Sequence, residues 1–491
     1  MTNTKVNEDH VIIWFRDDLR TLDNTALNHA IETGLPVIAL FVATPMQWHQ
    51  HHVAAIQVDF THRRLRILKQ QLAALNIPLH VIQCNDFKES VDAVAEYCHQ
   101  HRVVHVFANK QYPCNEQLRD EQLGLLLAKS GIKQSLFDDN YVLQPETILN
   151  REGELFKVFT PYRSAWLKRF IAEPSYPVTT TKTVALSDTT SAMLADSTDT
   201  DIQSLGYPVI ESVLWPVDEE AILQRLDTFC TTKALDYHQQ RDFPAIDGTS
   251  CLSPFLAIGA LSARQCVYHL LQHFPNALEI NKDSGAFTWL SEIIWREFYG
   301  HLMHRYPELS KNYPFQAYTQ HVRWQDNPTL LKAWQDGKTG FPIVDAAMRQ
   351  LRATGWMHNR LRMITASFLT KDLLCDWRAG EQWFMQHLID GDFASNNGGW
   401  QWAASTGTDS QPYFRVFNPT LQGQRFDPKG DFIRTWVEEL ANVPDKYIHT
   451  PHQWESGECL DYPLPVVDHK QARLLAIDAF KQAKAVMDNH Q

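Results

Sequence analysis

The chain has 491 residues and a net charge of −12, with 44% hydrophobic and 21% charged residues. That length suits roughly two to four domains with large cores, and no apolar run reaches the ~20 residues needed to span a bilayer. The acidic balance means that whole-chain charge argues for no nucleic-acid partner, so any such site must be a local basic patch.

The polar start MTNTKVNEDH has no signal-peptide architecture, and a cytoplasmic protein is expected. The eight cysteines, Cys84, Cys98, Cys114, Cys230, Cys251, Cys266, Cys375 and Cys459, form no CxxC pair and no zinc-type cluster. They read as free thiols of a reducing compartment.

From the N-terminus, short β-branched runs at 11–14, 36–42, 79–83 and 103–108 alternate with helical patterns at 23–33, 53–75, 89–101 and 115–130. A fifth strand is expected at 135–137. Strands separated by helices imply right-handed crossovers and a parallel sheet. No GxGxxG follows the first strand, so this sheet lacks the usual dinucleotide fingerprint. Periodicity fades from 139 to 215, and the Thr/Ser/Asp-rich stretch 178–201 reads as a long surface linker. Beyond 216 the apolar spacing is helical, at 219–237, 262–273, 286–305, 342–354, 357–376 and 380–389. The expected organisation is an α/β unit over 1–138, a linker over 139–215 and an all-helical unit over 216–485.

Five motifs and one charge pattern carry chemistry. Nine of the 15 tryptophans fall between Trp289 and Trp402. They read either as a large aromatic core or as a surface for stacking planar groups and relaying electrons. The run from Gly248 to Pro254 places hydroxyls and free N–H groups before a helix, which is an anion site or simply an N-cap.

Glu292 and Trp295 share a helix face, with Glu297 on another. This sets a carboxyl beside an indole. Asn359 and Met363 likewise share a face, an amide and a soft thioether, while Arg360 projects elsewhere toward phosphate. Asp390 and Asp392 stand in a glycine-rich stretch, read as a loop, that runs to Trp402. With no third hard ligand, they suit hydroxyl recognition and no metal is expected. Between 338 and 378, Lys338, Arg349, Arg352, Arg360, Arg362, Lys371 and Arg378 outnumber Asp345, Asp372 and Asp376. That is either a local basic patch or an ordinary charged helix face.

Together, WFRDDLR (14–20), TGFPIVDAAMRQL (339–351), WMHNRLRMITASFLTKDLLCDW (356–377) and DGDFASNNGGWQWAASTG (390–407) resemble the photolyase/cryptochrome family over nearly the whole chain. The match is to its class I cyclobutane pyrimidine dimer photolyases. The resemblance implies an N-terminal Rossmann-like antenna domain and a helical domain binding U-shaped FAD. It also implies a blue-light-driven lyase acting on DNA that contains pyrimidine dimers, as a monomer with no membrane partner.

Carried over by motif, Tyr237, Thr249, Ser250, Cys251, Leu252 and Ser253 hold the FAD phosphate region. Cys251 stands where relatives often carry a basic residue, a departure from the family pattern at one of these positions. Trp289, Arg296, Arg362, Asp390, Gly391 and Asp392 line the flavin and its sugar, and Asn396 sits near the reactive flavin nitrogen. Glu292, Trp295, Asn359, Met363 and Trp402 contact the flipped dimer as the catalytic set. Arg241, Tyr299, Arg360, Leu361 and Arg415 face the DNA. Trp400, Trp377 and Trp324 match an electron-hopping chain to the surface. Asn115 and Glu116, with Lys311 from the helical domain, match the pocket for a methenyltetrahydrofolate antenna.

The implied reaction runs from excited, fully reduced flavin to the dimer and back, with no net redox change. Base flipping costs about a few kcal/mol and is expected of such enzymes. Three rivals stand beside this reading. A (6-4) photolyase uses histidines where this chain has Asn359 and Met363. A cryptochrome photoreceptor would not need the Glu292, Trp295, Asn359 and Met363 set. A generic flavin redox enzyme would need a second substrate site.

Overall fold

In β1 (His10–Phe15) every side chain is buried, and alternate residues serve two cores. Val11, Ile13 and Phe15 fill one; Ile12 and Trp14 fill the other. β2 (Val37–Ala43) divides in the same way. A strand apolar on both faces belongs in a parallel sheet covered by helices on each side. Each large side chain so buried contributes about 1.5–3 kcal/mol.

That sheet is what this computed structural model contains; it describes residues 9–179, 182–196, 202, 204–281, 283–455 and 460–488. The elements of the first unit are α1 (Thr25–Glu32), α2 (Pro45–Gln50), α3 (Ala55–Ala73), β3 (Leu79–Gln83), α4 (Phe87–Gln100), β4 (Val103–Asn109), α5 (Cys114–Lys129) and β5 (Lys133–Phe137). The five strands are parallel in the order β3-β2-β1-β4-β5. Strand order therefore reverses between β1 and β4, where a crevice opens beyond the strands' C-terminal ends.

α6 (Phe159–Ala172) and α7 (Asp188–Asp196) follow. The helical unit holds α8 (Glu219–Thr232), α9 (Tyr237–Gln240), α10 (Ser253–Ala257), α11 (Ala263–His273), α12 (Gly285–Arg305), α13 (Pro328–Gln335), α14 (Pro342–Thr354) and α15 (Asn359–Ser367). It continues with α16 (Trp377–Met385), α17 (Phe393–Ala404), α18 (Pro419–Phe426), α19 (Asp431–Trp436) and α20 (His469–Asp488). Among the described residues, no helix is long and apolar enough to cross a membrane.

Three stretches differ from the sequence reading. Residues 139–215, expected as a linker between the units, include a packed helix. Phe159, Tyr162, Trp166 and Phe170 of α6 are buried in a core shared with β1 and α12. Their spacing is helical, but Pro161, Ile171 and Ala172 lie exposed on the other side and blur the contrast between the two faces. Residues 180, 181 and 197–201 of the Thr/Ser/Asp-rich stretch lie outside the described residues, as do the first eight residues and Cys459. The expected helix over 357–376 instead ends α15 in a π-helical turn, Phe368–Asp372. There Thr365 and Thr370 donate back to the carbonyls of Leu361 and Ala366, a habit that bends helices. Finally, most of 390–402, read as a loop, is α17. Asp392 caps it by accepting from Ser395 N at 2.8 Å. Gly398 permits close packing, since a Cβ there would lie 2.2 Å from the Tyr299 ring.

The two units are joined by buried charge. Arg264 pairs with Asp23 at 3.0 Å and Asp139 at 2.5 Å, and Arg20 also meets Asp139. Burial alone would raise the Asp139 carboxyl, but the two guanidiniums outweigh it and hold it down at about 2.

Candidate active site and antenna crevice

Helical period 3.6 turns four positions of α12, at 289, 292, 296 and 299, toward one side. Trp289, Glu292, Trp295, Arg296 and Tyr299 all line a cavity of about 480 Å³ within the helical unit. Opposite them, α15 contributes Asn359, Arg362 and Met363, and α17 contributes Asn396, Trp400 and Trp402. The rim beside α9 and α10 adds Tyr237, Arg241, Ser250, Leu252 and Ser253. Asp390 and Asp392 close the floor.

One end of this cavity is polar. Arg362 Nη2 lies 2.7 Å from Asp390 Oδ2, and Ser253 Oγ donates to the same oxygen at 2.6 Å. Asp390 Oδ1 is buried and has no protein partner, so an acceptor is left for a ligand hydroxyl or N–H. Trp289 Nε1 donates to Ser250 Oγ at 3.3 Å. Arg296 holds Asn140 through its carbonyl at 2.8 Å and its side-chain oxygen at 2.6 Å. Asn396 is anchored through Nδ2 to the Glu381 carbonyl at 3.0 Å. A cavity of this size, with flat indole walls and an unpaired carboxylate oxygen, fits a large planar cofactor with a polyol chain.

The mouth is charged. Arg241 pairs with Glu292 and lies 3.7 Å from Asp242, while Arg360 meets Asp242 at 2.7 Å. Burial raises the Glu292 carboxyl above its usual range, and Arg241 opposes that rise.

Several expected residues lie elsewhere. Leu361 is fully buried in the helical core, so its side chain offers nothing to DNA. It is one position from Arg360 and from Arg362, about 100° around the helix from each. Gly391 faces the other crevice, where Gln57 donates to its carbonyl at 2.9 Å. Thr249 and Cys251 do not line the cavity. Their side chains approach each other at 3.4 Å, and Cys251 takes a left-handed φ of 49°. Arg415 is exposed beyond α17, outside the cavity. Trp400 lines the cavity, Trp377 is buried, and Trp324 is half-buried with its edge toward Phe480.

A second crevice, of about 350 Å³, opens at the β1/β4 switch point and extends to the helical unit. Asn115 and Glu116 line it. Asn115 Nδ2 donates to His51 Nε2 at 2.9 Å, and His51 Nδ1 lies 3.5 Å from Glu116 Oε1. Glu116 Oε2 is buried without a protein partner, an acceptor suited to a heterocyclic N–H. Lys311 is exposed at the end of a 3-10 turn and does not line this crevice, although Ser310 and Asn312 do.

Sequence reasoning missed Arg16, Asp17, His51 and Arg119 in this crevice. It also missed Asn140, which lines this crevice and is held by Arg296, and Asp242, which pairs with Arg241 and Arg360. The charged WFRDDLR run directly after a buried strand was the available signal, as was Asp242 beside Arg241.

The family model described as the FAD binding domain of DNA photolyase matches residues 289–482, and that described as DNA photolyase matches 11–180. A deoxyribodipyrimidine photo-lyase of Vibrio cholerae is 51% identical over 473 residues, covering 96% of this chain and 99% of the relative. The chain belongs to the DNA photolyase family. The Escherichia coli deoxyribodipyrimidine photo-lyase is 48% identical over 479 residues, covering 96% of this chain and 98% of the relative.

Among solved structures, a bacterial class III photolyase from Agrobacterium tumefaciens superposes with TM-score 0.82 at 33% identity, covering 98% of this chain and 99% of that one. A Synechocystis cryptochrome reaches 0.81 at 26%, covering 96% and 99%. The fold is thus shared by photolyases and a cryptochrome. The choice between them rests on the site and on the sequence relatives.

Proposed function

We propose that the 480 Å³ cavity binds FAD and receives a flipped cyclobutane pyrimidine dimer, which the protein splits in DNA under blue light. The observation that carries this is one cavity holding both an indole-lined wall and a polar end with a free carboxylate oxygen. Reduced FAD held there would supply light-driven electron-donor chemistry, with no net redox change over the whole reaction.

The chain's own residues bind, orient and exclude water. Arg362, Asp390 and Ser253 form the polar hold for the cofactor's sugar and phosphate end, and Asn396 faces its ring edge. Trp289 and Trp400 wall the ring. Trp295 and Trp402 offer stacking faces to the dimer, and Asn359 and Met363 complete its pocket. Glu292 meets the thymine edge and steadies the charge that develops there. Arg241 and Arg360 face the DNA strand, supported by their shared pairing with Asp242, and Tyr299 lies in the cavity wall. Trp400, Trp377 and Trp324 form the route by which the cofactor is brought to its reduced state.

The crevice beside β1 and β4 is proposed to hold methenyltetrahydrofolate on Asn115 and Glu116, supplying light absorption. The units are proposed as 1–138 for the antenna and 216–485 for catalysis, in a cytoplasmic monomer. The test is blue-light repair of an oligonucleotide with one thymine dimer, the flavin pre-reduced and a dark control run alongside. Light-dependent recovery of thymine absorbance supports the proposal. No recovery with reduced FAD bound would move the protein to the photoreceptors.

A further inference from the structure

Phe159 is the first residue of α6, in the stretch whose sequence shows little pattern. Its ring lies face to face with Trp295, centroids 3.6 Å apart and planes 8° apart. Aromatic pairs left to themselves prefer offset or edge contacts at centroid distances of about 4.5–7 Å. A full overlap at shorter range is therefore imposed by the scaffold.

The scaffold that imposes it is visible. α6 is bound to α12 at two points that straddle Trp295. Arg163 Nη1 donates to Ser291 Oγ at 3.2 Å, and Trp166 Nε1 donates to Glu297 Oε1 at 2.7 Å. Phe159 N donates to Asp409 Oδ2 at 3.0 Å, and Thr408 donates to the Lys157 carbonyl, so the segment is also tied to the turn after α17. The Arg163 guanidinium, 5.5 Å from the Phe159 ring centroid, relieves the repulsion between two electron-rich faces. Phe159 is buried, 4% exposed, and does not line the cavity, whereas Trp295 is half-buried and does.

We infer that Phe159 is a positioning residue for substrate recognition, covering one face of the Trp295 indole and fixing its plane so that the cavity side is preset to stack on a pyrimidine dimer. This rests on the reading of Trp295 as a surface on which the dimer stacks. An indole already held in its bound orientation loses little rotamer freedom when substrate arrives, and that saving appears as affinity. Undamaged DNA, which does not enter the cavity, gains nothing from it.

The experiment measures binding of oligonucleotides with and without one thymine dimer. F159L is expected to weaken dimer binding roughly 5-fold, with FAD content and affinity for undamaged DNA at wild-type levels. F159Y should restore tight binding. In a W295A background, F159L should cause no further loss. Wild-type dimer affinity in F159L, or additive losses in the double variant, would overturn the inference. If W295A itself keeps wild-type dimer affinity, the reading of Trp295 falls first, and the two failures are told apart. If F159L does not fold, F159M takes its place. Loss of FAD or of fold in both assigns Phe159 a purely structural role and overturns the inference.

Discussion

Ser253 and Asp390 stand 137 positions apart in the chain and 2.6 Å apart in space, hydroxyl to carboxylate. Arg362 reaches the same oxygen at 2.7 Å. Removing the charge leaves Arg362 without its carboxylate partner at the polar end of the cavity. D390N should therefore lower FAD affinity about 10- to 100-fold. The check is the ratio of flavin to protein absorbance after dialysis. Full flavin retention would exclude Asp390 from the polar hold.

Glu292 sits at the mouth against Arg241. E292A removes the group proposed to meet the thymine edge. Light-driven repair at saturating dimer should fall about 10-fold. Flavin content should stay unchanged, because Glu292 belongs to the mouth. Single-turnover repair under a calibrated lamp separates this from weaker binding.

Arg360 pairs with Asp242 and lies over the Phe426 ring at 4.6 Å. If it also faces a phosphate, R360A should reduce the slope of log affinity against log salt by about 1. Damaged and undamaged DNA should be weakened alike, since phosphate carries no information about the lesion. A salt titration of both oligonucleotides reads this out.

Trp324 is the half-buried end of the proposed electron route. W324F should abolish most photoreduction of oxidised flavin in the presence of an external reductant. Repair by chemically pre-reduced enzyme should be unchanged. Loss of both would point to damage to the fold around Phe480.

Glu381 is buried between the two cavities. It accepts from Asn397 Nδ2 at 3.0 Å, and its carbonyl anchors Asn396. Burial pushes its carboxyl up to about 7 from an ordinary 4.5. A carboxyl raised in the folded state binds its proton longer than the unfolded chain does, so stability falls as pH rises through that window. The destabilisation is absent below about pH 4.5, complete above about 7, and worth roughly 3 kcal/mol at most. E381Q, which stays neutral, should lose this component. Melting temperatures between pH 5 and 8 should then decline less steeply than in the parent chain.

Much of the fold was readable because its determinants are local. Buried strands such as 37–43 are unbroken apolar runs, and α12 shows its Glu292/Trp295 face in the spacing alone. The cavity residues on α12 and α15 were readable for the same reason. Errors fell where neighbours in sequence were assumed to be neighbours in function. Leu361 lies between two site arginines, and Gly391 between two site aspartates. Adjacent positions on a helix or a tight turn point in different directions, so both residues serve other surroundings.

The sequence by itself determined the alternation of strands and helices, the helical faces and the motifs of the family. Each depends on spacing within a few turns of chain. Only the tertiary structure decided that Asp390 meets Ser253, that Arg241 meets Glu292, and that one core runs from β1 through α6 to α12. It alone set Phe159 against Trp295. Those pairings join residues 51 to 137 positions apart or more. They are fixed by how the helices pack once their apolar faces are buried, a choice no local pattern encodes.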